Sequence, residues 1–239
     1  MASVCHVLLA DPDLGATLEG RRLERAEHEC IAAEVVVAKG MWKPEETEGE
    51  RARGGIGLLI LEGLLVRRVG TDGRYGAELL GPGDLLRPWE HDGEDATLPL
   101  DTSFQVIERL RLVVLDLKAA ARMAPYPEVV GALVGRAMQR ARHFAVSMAI
   151  AHYPRVDRRL LLFLWHLADR WGRVTPEGIT IPLRLTHTLL ADLVASRRPS
   201  VTLGLAQLER EGLLSRHDHM IVLHGEPPAD LHVVGTTTP

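Results

Sequence analysis

The feature that most constrains this chain is an apolar seam. Val130, Val134, Ala137, Ala141, Phe144, Met148 and Ala151 recur at alternating steps of four and three. That is the spacing of a helix that packs along another helix. The alanines let two helices approach closely, and Arg136, Arg140, Arg142 and His143 lie off the seam. Two readings stay open on periodicity alone. The helix packs on its own domain, or it is one strand of a parallel dimer with Val130, Val134, Ala137, Ala141, Phe144 and Met148 at the interface. Pro125 and Pro127 precede the repeat and Tyr153-Pro154 breaks it, which places the helix within residues 125–153.

The pattern before the seam is different. Residues 12–34 read as a helical or mixed segment, and 39–55 as a turn-rich stretch. Gly57–Glu62 and Leu64–Val69 are apolar runs of strand length. Asp72-Gly73 supplies a hairpin turn to a return strand over 75–80, and Gly81-Pro-Gly-Asp84 is a second turn. More strand follows over 104–116. Short strands punctuated by glycine turns predict a small β-barrel or jelly roll over residues 1–124.

Composition narrows the function. No run of 18 apolar residues occurs, and the N-terminus lacks the charged start and long apolar run of a signal peptide. A cytoplasmic chain with no membrane partner is expected. Cys5 and Cys30 are too few for a four-cysteine metal or iron–sulfur site and read as reduced thiols. No nucleophile elbow, phosphate loop or His-Glu-x-x-His pair is present, so no enzyme and no cofactor is expected. The net charge of −4 hides an uneven distribution: residues 131–173 carry eight arginines against two aspartates, a local +6.

The C-terminal part, residues 154–239, carries the functional signal. An amphipathic helix over 156–171 ends at Gly172, and a strand follows over 178–183. Thr186 can cap a helix running to about Val194. A turn at Ala195-Ser-Arg-Arg198 leads to Pro199, which suits the first turn of a helix to Glu211, stopped by Gly212. Val201, Leu205, Leu208 and Gly212 share one arc, read as the buried face, with Leu203 opposite. Two strands, 213–215 and 220–223, flank Arg216-His-Asp-His219. Helix, turn, helix and hairpin is the order of a winged helix-turn-helix. A major groove admits such a helix with its N-terminal side chains on base edges, here Arg197, Arg198, Ser200 and Thr202. Arg216 and His217 on the wing would meet phosphate. His217 and His219 have ligand-like spacing, but no third ligand accompanies them, so no metal is expected there.

The stretch Arg197-Arg-Pro-Ser-Val-Thr-Leu203, followed by Leu208-Glu-Arg-Glu-Gly-Leu-Leu214, resembles the recognition helix and wing entry of the cyclic-AMP receptor protein/fumarate-nitrate regulator (Crp/Fnr) family. The resemblance implies an α+β architecture: an N-terminal cyclic-nucleotide-binding-like β-roll, a long dimerisation helix and a C-terminal winged helix-turn-helix. It implies a homodimeric regulator that puts a recognition helix of about 198–211 into double-stranded DNA and works with RNA polymerase. Family base-reading positions fall on Arg198, Pro199 and Leu203, of which only Arg198 keeps a polar head. The sensor half departs from the pattern. Arg87-Pro88 stands where nucleotide-binding relatives have Gly-Glu, and residues 95–100 lack the phosphate-binding arginine. Cyclic AMP is therefore not expected; an unidentified small-molecule effector is the alternative. A haem version would have to draw on Cys5, His6 or other histidines.

Overall fold

The computed structural model of this chain describes residues 3–44, 48–71, 74–88, 100–217 and 220–228. It divides into two compact units, Met1–Arg142 and His143–Pro239. The hairpin turn expected at Asp72-Gly73, the stretch 89–99 that includes most of the 95–100 segment, His219 and the threonine-rich tail at 236–238 lie outside the described residues.

The first unit runs β1 (Ser3–His6), α1 (Val7–Ala10), a 3-10 turn (Pro12–Gly15), α2 (Gly20–Glu29), β2 (Ile31–Val37), β3 (Gly40–Trp42), α3 (Glu48–Ala52), β4 (Gly57–Thr71), β5 (Arg74–Leu80), β6 (Leu85–Leu86), β7 (Asp101–Leu115) and α4 (Leu117–Met123). Its strands pair antiparallel in the order β1-β2-β7-β4-β5, with β3 added on β7 and β6 on β4. The helix α5 (Pro127–Ala151) follows and runs through the division between the units.

The two apolar runs expected at 57–62 and 64–69 form one 15-residue strand, β4. Glu62-Gly63 interrupts the apolar pattern, yet the ladder to β7 continues through it with a register shift between Ile60 and Leu65. Gly63 has φ +90°, and a Cβ there would lie 2.2 Å from the Arg109 carbonyl oxygen. Close backbone approach at a bulge therefore requires glycine. Side chains on either side of this strand feed two cores. Leu58, Ile60 and Leu65 join Trp42, Leu80, Phe104, Val106 and Leu112 on one face. Leu59 and Leu61 join Val7, Leu8, Cys30, Val113, Met123, Val129 and Leu133 on the other. Period-two alternation explains why a strand covered on both faces reads as a continuous apolar run.

The stretch 39–55, expected as turns, carries β3 and α3. Three residues have too little pattern to announce a strand. β3 exists because β7 offers it a partner and because Trp42 is buried, its Nε1 donating to Glu48 at 3.2 Å. Cys5 and Cys30 are free and buried, and burial pushes the Cys30 thiol up to about 11.

The second unit contains α6 (Val156–Trp171), β8 (Arg173–Thr175), β9 (Gly178–Ile181), α7 (His187–Leu193), α8 (Arg198–Arg210), β10 (Leu214–His217) and β11 (Met220–Leu223). Its sheet has the order β10-β11-β9-β8; β8 was not expected from the sequence. Gly172 ends α6, but with φ −65° and not in a left-handed cap. It is needed for space, because a Cβ would lie 2.4 Å from the Ala168 carbonyl oxygen. Among the described residues no helix is long and apolar enough to cross a membrane.

Candidate nucleic-acid interface

Local chemistry sets both helices of the helix-turn-helix. Thr186 is the N-cap of α7, and its hydroxyl accepts from the Leu189 amide at 3.1 Å. Val194, Ala195 and Ser196 turn the chain. Ala195 sits at φ +48°, a left-handed conformation that a non-glycine residue rarely adopts. Two things hold it there. The Ser196 amide donates to the Ala191 carbonyl at 2.8 Å. The Arg159 guanidinium on α6 donates to the Val194 and Ala195 carbonyls at 2.8 Å each. Val194 is the C-cap of α7, so its carbonyl is one that the helix end leaves without an intrahelical partner.

α8 starts at Arg198 with Pro199 in its first turn, where a missing N–H costs nothing. It buries Val201, Gly204, Leu205 and Leu208. Gly212 is not on that face as the arc had suggested. It lies beyond the helix end, exposed, with φ +68°, and the Leu213 amide donates back to the Leu208 carbonyl at 3.0 Å. Gly204 takes the place on the buried face because α6 passes close: a Cβ would stand 2.8 Å from Leu160 Cδ1.

Arg197, Arg198 and Pro199 are exposed at the start of α8, and Ser200 is half-buried beside them. Leu203 projects outward at 72% exposure. His217 is exposed on β10. Thr202 and Arg216 are also exposed, but they are engaged within the motif. The Thr202 hydroxyl donates to the Arg198 carbonyl at 3.1 Å and meets His187 Nδ1 at 2.8 Å. Arg216 forks onto both Glu209 carboxylate oxygens at 2.7 and 2.8 Å and reaches His187 Nε2 at 2.9 Å. This contact with Arg216 holds the Glu209 carboxyl below its usual range. Sequence reasoning missed His187 and Glu209. One signal was available for Glu209: Thr202 and Glu209 are seven residues apart, two turns on one helical face. None was available for His187, which lies on a different helix.

The seam residues of α5 separate into two groups. Val130 is half-buried and packs on the core of the first unit beside Val129 and Leu133. Val134, Phe144 and Met148 stand 54%, 43% and 53% exposed, and Ala137 and Ala141 are exposed with them.

The first unit holds a cavity of about 140 Å³ lined by Arg67, Leu85, Leu86, Arg87, Pro88, Phe104, Ala137 and Arg140. Cations are therefore present, supplied by β4, by α5 and by Arg87 just after β6, whereas residues 95–100 contain no arginine. Arg140 grips Glu78 through two bonds of 2.8 Å and donates to the Leu85 carbonyl at 2.8 Å. Arg67 lies 3.6 Å from the same carboxylate. Burial, then the neighbouring Arg140, pull the Arg67 pKa down. One turn earlier on α5, Arg136 donates to Asp11 at 2.8 Å. Among the described residues no group of three or more His, Cys, Asp or Glu is placed to hold a metal.

Residues 158–226 match the Crp-like helix-turn-helix domain family. The chain is 28% identical over 97 residues to a global nitrogen regulator of Synechococcus elongatus, covering 41% of this chain and 44% of that protein. It thus spans less than half the length of the curated relatives it matches. A cyclic nucleotide-binding domain containing protein from Listeria monocytogenes shares its fold at a TM-score of 0.63 and 17% identity, over 89% of this chain and 96% of that one. A mutant of CooA from Carboxydothermus hydrogenoformans does so at 0.61 and 18%, over 80% and 82%. The β-roll unit, the long helix and the C-terminal helix-turn-helix occur here in one chain, and its residues 158–226 carry a Crp-like helix-turn-helix domain.

Proposed function

We propose that this chain is a sequence-specific DNA-binding transcription regulator that acts as a cytoplasmic homodimer, with no enzymatic step. One observation carries the reading: Arg197, Arg198 and Ser200 stand at the open N-terminal end of α8, whose opposite face is buried against α6 and the rest of its own unit. A guanidinium there can bond a guanine edge bidentately, and the second arginine and the hydroxyl can meet phosphate. Pro199 and Leu203 offer no donor, so Leu203 contributes apolar contact with a thymine methyl. His217 lies at the wing tip for a phosphate. RNA polymerase is the partner through which such a regulator acts.

The dimer reading rests on α5. Val134, Ala137, Ala141, Phe144 and Met148 form a continuous exposed apolar seam, and a second α5 bearing the same seam covers it with knobs-into-holes spacing.

The test uses duplexes selected from a randomised pool by the purified full-length protein, read by fluorescence anisotropy across a salt series. Arg198→Ala is expected to weaken binding by about 1–3 kcal/mol and relax preference at one base position. Ala141→Glu is expected to convert a dimer to a monomer in analytical ultracentrifugation. A wild-type protein that is monomeric and indifferent to DNA at low ionic strength refutes both halves of the proposal.

A second reading adds an effector. The cavity is bounded by Ala137 and Arg140 of the dimer helix, so a small molecule there would touch the element that carries the seam. Arg67 and Arg140 on its walls share Glu78, so an anionic group would enter by competing with that carboxylate. Calorimetry against a panel of nucleotides and organic acids tests it, and silence across the panel leaves ligand-free action.

A further inference from the structure

We propose that His187 is a positioning residue of the DNA-facing surface: as a neutral ring protonated on Nδ1, it ties Thr202 of α8 to Arg216 of β10 and so sets the recognition helix against the wing. The inference rests on the DNA-binding reading and adds a residue that no spacing rule singled out.

The direction of each bond follows from what each group can do. An arginine only donates, so Arg216, 2.9 Å from His187 Nε2, makes that nitrogen an acceptor. The ring proton of the neutral histidine is then on Nδ1 and is donated to Thr202 Oγ1 at 2.8 Å. Thr202 passes its own proton to the Arg198 carbonyl at 3.1 Å. The chain of donors thus runs from β10 through α7 into the first turn of α8, where Arg198 stands. Its far end is anchored by the two bonds from Arg216 to Glu209.

Two consequences follow for the DNA face. The Thr202 hydroxyl proton is used inside the motif, so while the network stands it does not donate to a phosphate. Arg216 is a brace between β10 and α8 before it is a phosphate contact. Both residues act through the geometry they impose on Arg198 and the wing.

The charged groups that face the ring are Arg216 on β10 and Arg198 and Glu209 on α8. Burial first, then Arg216 and Arg198, hold the His187 pKa below its usual value, with Glu209 opposing them. The acceptor form required by the network is therefore the form the site favours near neutral pH.

The experiment compares full-length wild type, His187→Ala, His187→Gln, Thr202→Val and the His187→Ala/Thr202→Val double variant on the selected duplex. Glutamine carries one acceptor and one donor side by side and can serve both partners without titrating. His187→Ala removes both bonds and is expected to weaken binding about fivefold, since only part of their worth reaches the DNA face through the geometry of α8 and the wing. His187→Gln is expected to stay within about twofold of wild type, and the double variant to bind no worse than the worse single one. Long-range nitrogen–proton correlation spectra of the free protein are expected to show His187 as the Nδ1–H tautomer. Three results overturn the inference alone: wild-type affinity in His187→Ala, equal losses in the alanine and glutamine variants, or an Nε2–H ring. Failure of the wild type to bind any duplex at low ionic strength overturns the DNA reading and this inference with it.

Discussion

Lowering the pH through the histidine range should destabilise the second unit through His166. This ring lies on α6, set edge-to-face on His143 with centroids 5.3 Å apart and beside Phe163 at 6.3 Å. Burial, and then the charge of His143, bring its pKa down to about 4 from 6.5. Asp169 pulls the other way and is outweighed. The folded state thus keeps the ring neutral down to about pH 4, whereas the unfolded chain takes up a proton from about pH 6.5. Between those values the unfolded state binds more protons, so stability falls as pH falls. The contribution is fully present above pH 6.5 and lost by about pH 4. At about 1.4 kcal/mol per pH unit the gap amounts to about 3 kcal/mol. That is a large share of a typical domain stability of about 5–15 kcal/mol. Urea unfolding at pH 7, 6, 5 and 4.5, followed by the fluorescence of Trp165 and Trp171 on the same helix, measures it. Carboxylates such as Asp157 and Glu209, whose pKa values are held low, lose their share at lower pH. His166→Gln and His166→Leu remove only the histidine part. Wild type should lose about 2–3 kcal/mol more than either variant between pH 7 and pH 4.5. Parallel curves for wild type and variants would show that His166 titrates alike in both states, and the reasoning would be wrong.

Two packing predictions accompany it. Gly204→Ala puts a methyl 2.8 Å from Leu160 Cδ1 and 3.4 Å from the Asp157 Cα. Overpacking should outweigh the better helix propensity of alanine and cost about 1–2 kcal/mol, and a raised melting temperature would contradict so close an approach of α6 and α8. Thr186→Ala removes the cap of α7 and should cost about 1 kcal/mol in urea unfolding, with Thr186→Ser restoring most of it; equal losses in both variants would rule out the hydroxyl as the cause.

Much of this protein is local and was legible in the sequence. The caps, breakers and periods of 186–223 act within a few residues, so Thr186, Pro199 and Gly212 locate the helix-turn-helix before any contact is known. The four-three repeat of α5 and the apolar runs of the sheet are legible for the same reason. What the tertiary structure decided are encounters between distant parts of the chain. A glycine that sequence reading takes as a gap between strands proves to be a bulge, because the Arg109 carbonyl lies against it. Arginines of the long helix find carboxylates 62 and 125 residues away, at Glu78 and Asp11. His187 finds Thr202 and Arg216 from a separate helix. Secondary structure follows from short-range sterics and hydrogen bonding, which sequence spacing encodes. The partner of a polar side chain follows from where chain segments of high separation meet, and spacing along the chain carries no record of that.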